Sequence, residues 1–103
     1  MVLAMLELDG DTQALLAASA ELERRLGTPD GLIARIVAPT ATGIVLLQLW
    51  ASAEARERNA DDDRHRDALV GSGLTALVTG SRARAFENAT LQQFALQRPF
   101  VSA

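Results

Sequence analysis

The chain of 103 residues contains no cysteine. That excludes a disulfide framework, a thiolate metal site and a cysteine nucleophile, and it fits a reducing cytoplasm. Lysine is absent too, so all ten basic residues are arginine; with the abundant alanine, this is the composition of a GC-rich bacterial genome. Aromatic residues make up only 4%, whereas hydrophobic residues reach 49%, so any core is built from Ala, Leu, Val and Ile. No run of about 18 uncharged apolar residues exists, which excludes a membrane-spanning helix. Residues 1–6 are apolar, but they carry no basic residue and meet Glu7 at once, so no signal peptide is expected. The net charge of -3 argues against non-specific nucleic-acid binding.

The most informative stretch is residues 32–50. Two apolar, partly β-branched runs flank Pro39-Thr40-Ala41-Thr42-Gly43, the pattern of a β-hairpin with a longer loop. Both runs are apolar at nearly every position, so both faces of the hairpin should be covered. A chain of this length is one domain, and its helices can cover one face only.

The rest of the chain supplies those helices. Residues 2–8 read as a first strand, ended by the turn and cap cluster Asp9-Gly10-Asp11. Residues 12–26 read as a helix with Leu15, Leu16, Ala18, Leu22 and Leu26 on its apolar side and the pair Glu21–Arg25 on its wet side. Gly27 and Pro29 stop it. Ser52 can cap a second helix over 53–70, with a break near Ala60 and a new cap among Asp61-Asp62-Asp63. Residues 74–78 are apolar without a clear period, and 82–94 read as extended, interrupted at Asn88-Ala89. Residues 1–96 are thus expected to form the domain, and 97–103, with Pro99, an irregular tail.

The order strand, helix, strand, strand, helix, strand predicts an α+β, ferredoxin-like split βαββαβ fold: a four-stranded antiparallel sheet with its helices on one face. The uncovered face would show Leu3, Met5, Ile33, Val37, Ile44, Leu46 and Trp50, or the opposite set if the strand parity is reversed. A patch of that kind marks an interface or a ligand site. Burying roughly 1,000 Å² of it at about 25 cal/mol per Å² is worth about 25 kcal/mol before the costs of association. A homodimer with paired sheets and a cavity between them follows as the expected assembly.

These features resemble the dimeric α/β-barrel superfamily, in particular the small proteins grouped with antibiotic-biosynthesis monooxygenases. The resemblance covers about residues 2–92 and rests on the element order, on Gly31-Leu32-Ile33 opening the second strand, and on Trp50-Ala51-Ser52-Ala53-Glu54 leading from the third strand into a helix. It implies a dimer with a small-molecule site, and in some members a monooxygenase that needs no cofactor. The family's Trp at the end of the third strand matches Trp50. Many catalytic members carry a His about nine residues later; here that position is Asn59. Haem-degrading members place an Asn in the first strand, and residues 2–8 contain none.

Glu7, Arg35 and Gln48 are the polar residues inside otherwise apolar strands. Sharing a face with Trp50, they would orient a polar group on an apolar ligand, with Glu7 and Arg35 as a pair; equally, that pair would be a structural or interface salt bridge. Trp50 would stack on an aromatic ligand or fill the core. The catalytic candidates are Trp50, Arg35 and Asn59, with Arg35 and Asn59 stabilising an enolate-like anion or bound oxygen. Glu7, Gln48, Met5 and Leu46 are the candidate ligand contacts. The single His65 lies in the charge run Asp61–Asp67, which reads as a solvated helix face, and adjacent Asp residues suit a cap better than a metal cage. Three functions follow as expectations: a homodimer binding a small apolar or aromatic ligand, a cofactor-independent monooxygenase, and a structural dimer whose cavity is filled by side chains. No metal or other cofactor, no nucleic acid and no membrane partner is expected.

Overall fold

The computed structural model describes residues 1–94; the tail expected at 97–103 lies outside them. Four strands, β1 (Val2–Asp9), β2 (Leu32–Pro39), β3 (Gly43–Trp50) and β4 (Gly80–Phe86), form one antiparallel sheet in the order β2-β3-β1-β4. The helices are α1 (Thr12–Leu26), α2 (Ala53–Ala60), α3 (Asp63–Gly71) and the single turn α4 (Leu74–Leu77). This is the ferredoxin-like α+β arrangement that the element order predicts. No helix among the described residues is long and apolar enough to cross a membrane.

The helix ends obey local chemistry. Asp11 Oδ2 accepts the N–H of Ala14 at 2.8 Å and starts α1. Gly27, at φ 66°, ends it and returns its N–H to the carbonyl of Glu23. Ser52 Oγ accepts the N–H of Ala55 at 3.1 Å and starts α2. The expected break near Ala60 is real: Asp62 Oδ1 accepts the N–H of Arg64 at 2.9 Å and begins α3. Of residues 74–78, the first four form α4, which buries Leu74, and Val78 is extended. The last extended stretch is shorter than 82–94, because β4 ends at Phe86 and Asn88 bends the chain at φ 57°.

Residues on the inner face of the sheet, toward the helices, form the core. Leu8, Ile44 and Leu46 pack there with Leu15, Ala18 and Leu22 of α1, Ala68 of α3 and Leu74 of α4. A second cluster joins Val2, Ala4 and Trp50 to Ala55 of α2, with Leu32 against it. Two glycines permit close approaches. A Cβ at Gly43 would lie 1.9 Å from the carbonyl oxygen of Leu8, and one at Gly31 would lie 2.5 Å from the Ala55 Cβ. Gly31 also holds φ 84°, so it lets α2 settle on the start of β2.

The parity of the strands differs from the expected exposed set. Val2, Ala4, Leu6 and Leu8 stand opposite Trp50, Gln48, Leu46 and Ile44, so these even-numbered positions of β3 all face the helices. Val37, Ile44, Leu46 and Trp50 are therefore inner residues, while Leu3 and Met5 are outer ones. The cause in β2 is a bulge. Leu32 pairs with Trp50 and Ala34 with Leu49, so Ile33 is one residue too many for the ladder. The extra residue reverses the alternation beyond it and turns Arg35 and Val37 inward, opposite Gln48 and Leu46.

Candidate functional site

The inner face carries three of the polar or aromatic candidates side by side. Arg35 and Gln48 are cross-strand partners, and Trp50 follows Gln48 by two residues on the same side of β3. Leu46 shares that face but is 5% exposed and belongs to the main core. Trp50 is 1% exposed and packs with Ala55 and Leu32. Each of those two neighbours lines one of two adjoining clefts.

The larger cleft, about 310 Å³, opens between the end of α1, the loop to β2, and the α2–α3 junction; Ala55, Arg58, Asn59, Asp62 and Arg64 line it. The smaller, about 220 Å³, is lined by Leu32, Ala34 and Arg35 together with Glu23 and Gly27. Thr28 belongs to both; Trp50 lines neither and adjoins them only through Ala55 and Leu32. Asn59 thus lies at a cleft wall, one turn beyond Ala55.

Two N–H groups in this region have no partner. Trp50 Nε1 and Arg35 Nε are both buried and neither donates a hydrogen bond within the described residues. Arg35 has one hydrogen bond elsewhere on its guanidinium, from Nη2 to Ser19 Oγ at a long 3.4 Å. An unmet buried donor costs about 1–3 kcal/mol, and more when the group is charged. In a core otherwise made of Leu, Ala and Val, two such groups on one face are unusual, since buried polar atoms are nearly always satisfied.

Glu7 and Met5 are not part of this arrangement. Both lie on the outer face, where Glu7 Oε2 accepts from Arg82 Nε at 2.7 Å. The expected pair Glu7–Arg35 does not form, because β1 and β2 are separated by β3 and the Ile33 bulge sends Arg35 to the other side of the sheet. Asp9 also accepts from Arg82, at 3.3 and 3.4 Å. These hydrogen bonds hold the Arg82 guanidinium above its ordinary pKa, with Glu7 the larger contributor.

His65, too, lies elsewhere than the sequence suggests. It is half-buried and not on a solvated face. Burial of the ring is the main cause that lowers its pKa below the ordinary histidine value; the Arg35 charge lowers it further, and Asp62 opposes both. The signal was present in the spacing. His65, Ala68, Leu69 and Ser72 lie at i, i+3, i+4 and i+7, which puts His65 on the face of α3 that buries Ala68. The Asp and Arg residues around it masked that stripe.

No protein-family model matches the chain, and no curated protein matches it. Solved structures do. SnoaB, a cofactor-independent oxygenase from Streptomyces nogalater solved as an asparagine-to-alanine mutant, aligns over 89% of this chain and 95% of its own with a TM-score of 0.65 at 16% identity. A dimeric ferredoxin-like protein of unknown function from Jannaschia sp. CCS1 aligns over 84% of this chain and 97% of its own, with a TM-score of 0.63 at 15% identity. A candidate antibiotic biosynthesis monooxygenase from Deinococcus radiodurans aligns over 92% and 99%, with a TM-score of 0.68 at 17% identity. With its sheet order, helix placement and these neighbours, the chain has the ferredoxin-like fold of the antibiotic biosynthesis monooxygenase-like proteins.

Proposed function

We propose that this protein binds a small aromatic or polyketide-like ligand bearing oxygen acceptors, and that it does so on the inner face of each subunit. The observation that carries the reading is the pair of unpartnered donors, Trp50 Nε1 and Arg35 Nε. Arg35 lines the smaller cleft, where a carbonyl, phenolate or enolate oxygen would give its guanidinium an acceptor, and among the described residues no carboxylate pairs with it. Asn59 at the wall of the larger cleft adds a neutral hydrogen-bonding group, and Trp50 packs behind it against Ala55. The larger cleft, about 310 Å³, is at the lower end of the roughly 300–1,000 Å³ that ligand sites have. This places the site between helices and sheet, not between two sheets as the sequence reading expects, and it leaves Glu7 and Met5 outside.

The same reading includes a homodimer. The outer face presents Leu3, Met5, Ala34, Ile36 and Leu47, with Ile36 58% exposed and Phe86 41% exposed beside them. Pairing this face with a second copy removes it from water, and the resemblance to a dimeric ferredoxin-like protein supports it. Sedimentation at micromolar concentration tests this part, with a dimer as the expected species and a compact monomer as the contrary one.

A second reading is favoured by the likeness to SnoaB: the bound ligand reacts with oxygen without a cofactor. Trp50 would position the ring, and Arg35 with Asn59 would stabilise the anion that meets oxygen. Oxygen uptake with anthrone- and quinol-type compounds tests it. Uptake that falls at least about 100-fold in Arg35→Leu and Trp50→Phe places the reaction at these residues. Uptake that both variants retain places it elsewhere, and none from the unaltered protein returns the function to binding.

A further inference from the structure

The sheet ends in two edges, β2 and β4, and the chain treats them differently. β2 carries devices that discourage strand pairing: the bulge at Ile33 interrupts its ladder, and Pro39 has no N–H to donate. β4 has neither. It pairs with β1 in one unbroken register, and every residue after Gly80 is exposed. Charge is the other common guard of an edge, and on β4 it is held down on the sheet. Arg82 is held by Glu7 and Asp9, and Arg84 lies over the ring of Phe86. Among the described residues no carboxylate pairs with Arg84. Toward the helices β4 shows only small side chains: Ser81, Ala83 and Ala85 stand opposite Leu8, Leu6 and Ala4. A mainly apolar cavity of about 270 Å³ opens beside Ser81, walled by Leu6 and Leu8 of β1, Leu69 of α3 and Leu74 of α4. None of these residues lines the two clefts described above.

We propose that β4 is a docking edge for an extended peptide of another protein, which joins the sheet as a fifth strand with apolar side chains toward the helices and an acidic one toward Arg84. In strand addition, main-chain hydrogen bonds supply affinity and pockets for alternate side chains supply specificity. Successive side chains of the added strand point to opposite faces. One set would meet Ala83, Ala85 and the cavity beside Ser81; the other would lie along the row Arg82, Arg84 and Phe86. Charge selects the occupant. A second copy pairing its own β4 antiparallel and centred on Ala83 would set Arg82 of each copy against Arg84 of the other, and like charges directly opposite are unfavourable. The β2 edge of a second copy would bring its bulge and Pro39. Residues 95–103 contain Arg98 and Pro99 and no Asp or Glu, so they do not complement Arg84 either. A partner segment that alternates apolar with acidic residues fits both faces of the edge. The proposal is independent of any ligand in the clefts.

The test is fluorescence anisotropy with a dye-labelled peptide that has Val or Leu at alternate positions and Glu between them, beside a second peptide with Lys in place of Glu. The expected result is saturable binding of the Glu peptide, about 5-fold tighter than the Lys peptide, with the preference reversed in Arg84→Glu. Backbone N-methylation of the Glu peptide separates strand addition from charge attraction alone. Methylating one set of alternate amides should abolish binding, and methylating the other set should preserve it, because only one set faces β4. Amide NMR shifts on binding should centre on β4. Binding that survives both methylations, or is lost equally with either, would overturn the proposal, as would shifts centred on β2. Absence of saturable binding at millimolar peptide would overturn it as well. Tighter binding by a peptide of residues 95–103, or by a peptide of β4 itself, would give the edge to this chain and not to a partner, and so contradict it.

Discussion

The two faces of this sheet handle charge in opposite ways. On the outer face Arg82 bridges Glu7 and Asp9, and Arg84 lies 5.2 Å over the ring of Phe86, so each cation has a nearby partner and water besides. On the inner face Arg35 has one long hydrogen bond to a hydroxyl, and its Nε has none. Apolar surface follows the reverse pattern. Leu15 and Ile44 are fully buried under the helices, whereas Ile36 and Phe86 stand open on the outer face. The contrast separates architecture from function. A paired charge at a wet surface supports the fold modestly, while an unpaired donor in a dry layer costs stability and implies a partner that arrives from outside.

The comparison can be broken at several points. The largest expected effect comes from the inner core: Ile44→Ala, at a fully buried position, should cost about 2–5 kcal/mol of unfolding free energy in urea titrations. On the outer face, Ile36→Glu combined with Leu47→Glu should leave the inner core intact and convert the proposed dimer to monomers by sedimentation, because two charges would be desolvated at the proposed paired face. Arg35→Met should separate stability from function. Replacing an uncompensated inner cation by an apolar side chain of similar length should leave stability unchanged or raise it by about 1 kcal/mol, while ligand binding is lost. Arg82→Ala is the outer control. Its side chain is 60% exposed, so the loss should be the smallest of these and should shrink in high salt.

The smallest effects are those of pH. His65 has a folded-state pKa below its ordinary 6.5, so the unfolded chain binds the extra proton first. Its contribution is fully present above pH 6.5 and is lost as pH falls through the lowered folded value. Glu21 acts further into acid. Hydrogen bonds from Arg24 and then Arg25 lower its carboxyl from 4.5 to about 2, so its contribution is present above pH 4.5 and is lost toward pH 2. Urea midpoints measured from pH 8 to pH 2.5 should show the upper loss disappear in His65→Gln and the lower one in Glu21→Gln.

Much of the fold was legible because it rests on local chemistry. Asp11, Gly27 and Ser52 mark helix ends by capping rules that need no tertiary information, and the hairpin announces itself by its turn residues. The faces were harder to read. β3 is apolar at nearly every position, so alternation could not say which of Leu46 or Leu47 points inward. In β2 the bulge at Ile33 depends on pairing with Trp50 and Leu49, partners that local sequence does not reveal. That one inserted residue decided the place of Arg35 and dissolved the expected pair with Glu7. Trp50, Arg35, Gln48 and Asn59 were visible as candidates from residue type and family resemblance, but the shared inner face of the first three, and the place of Asn59 on α2 at a cleft wall, were not. His65 was hidden differently: its helical stripe was present, and the charges beside it drew attention to the solvent.

The most direct test of the central claim is a fluorescence titration of Trp50 with an oxygen-bearing aromatic ligand, performed on the unaltered protein and on Arg35→Met at equal stability. The expected result is saturable quenching at one site per chain that Arg35→Met abolishes. Equal quenching in both proteins, or none in either, would contradict the claim that the open donors of the inner face await a ligand.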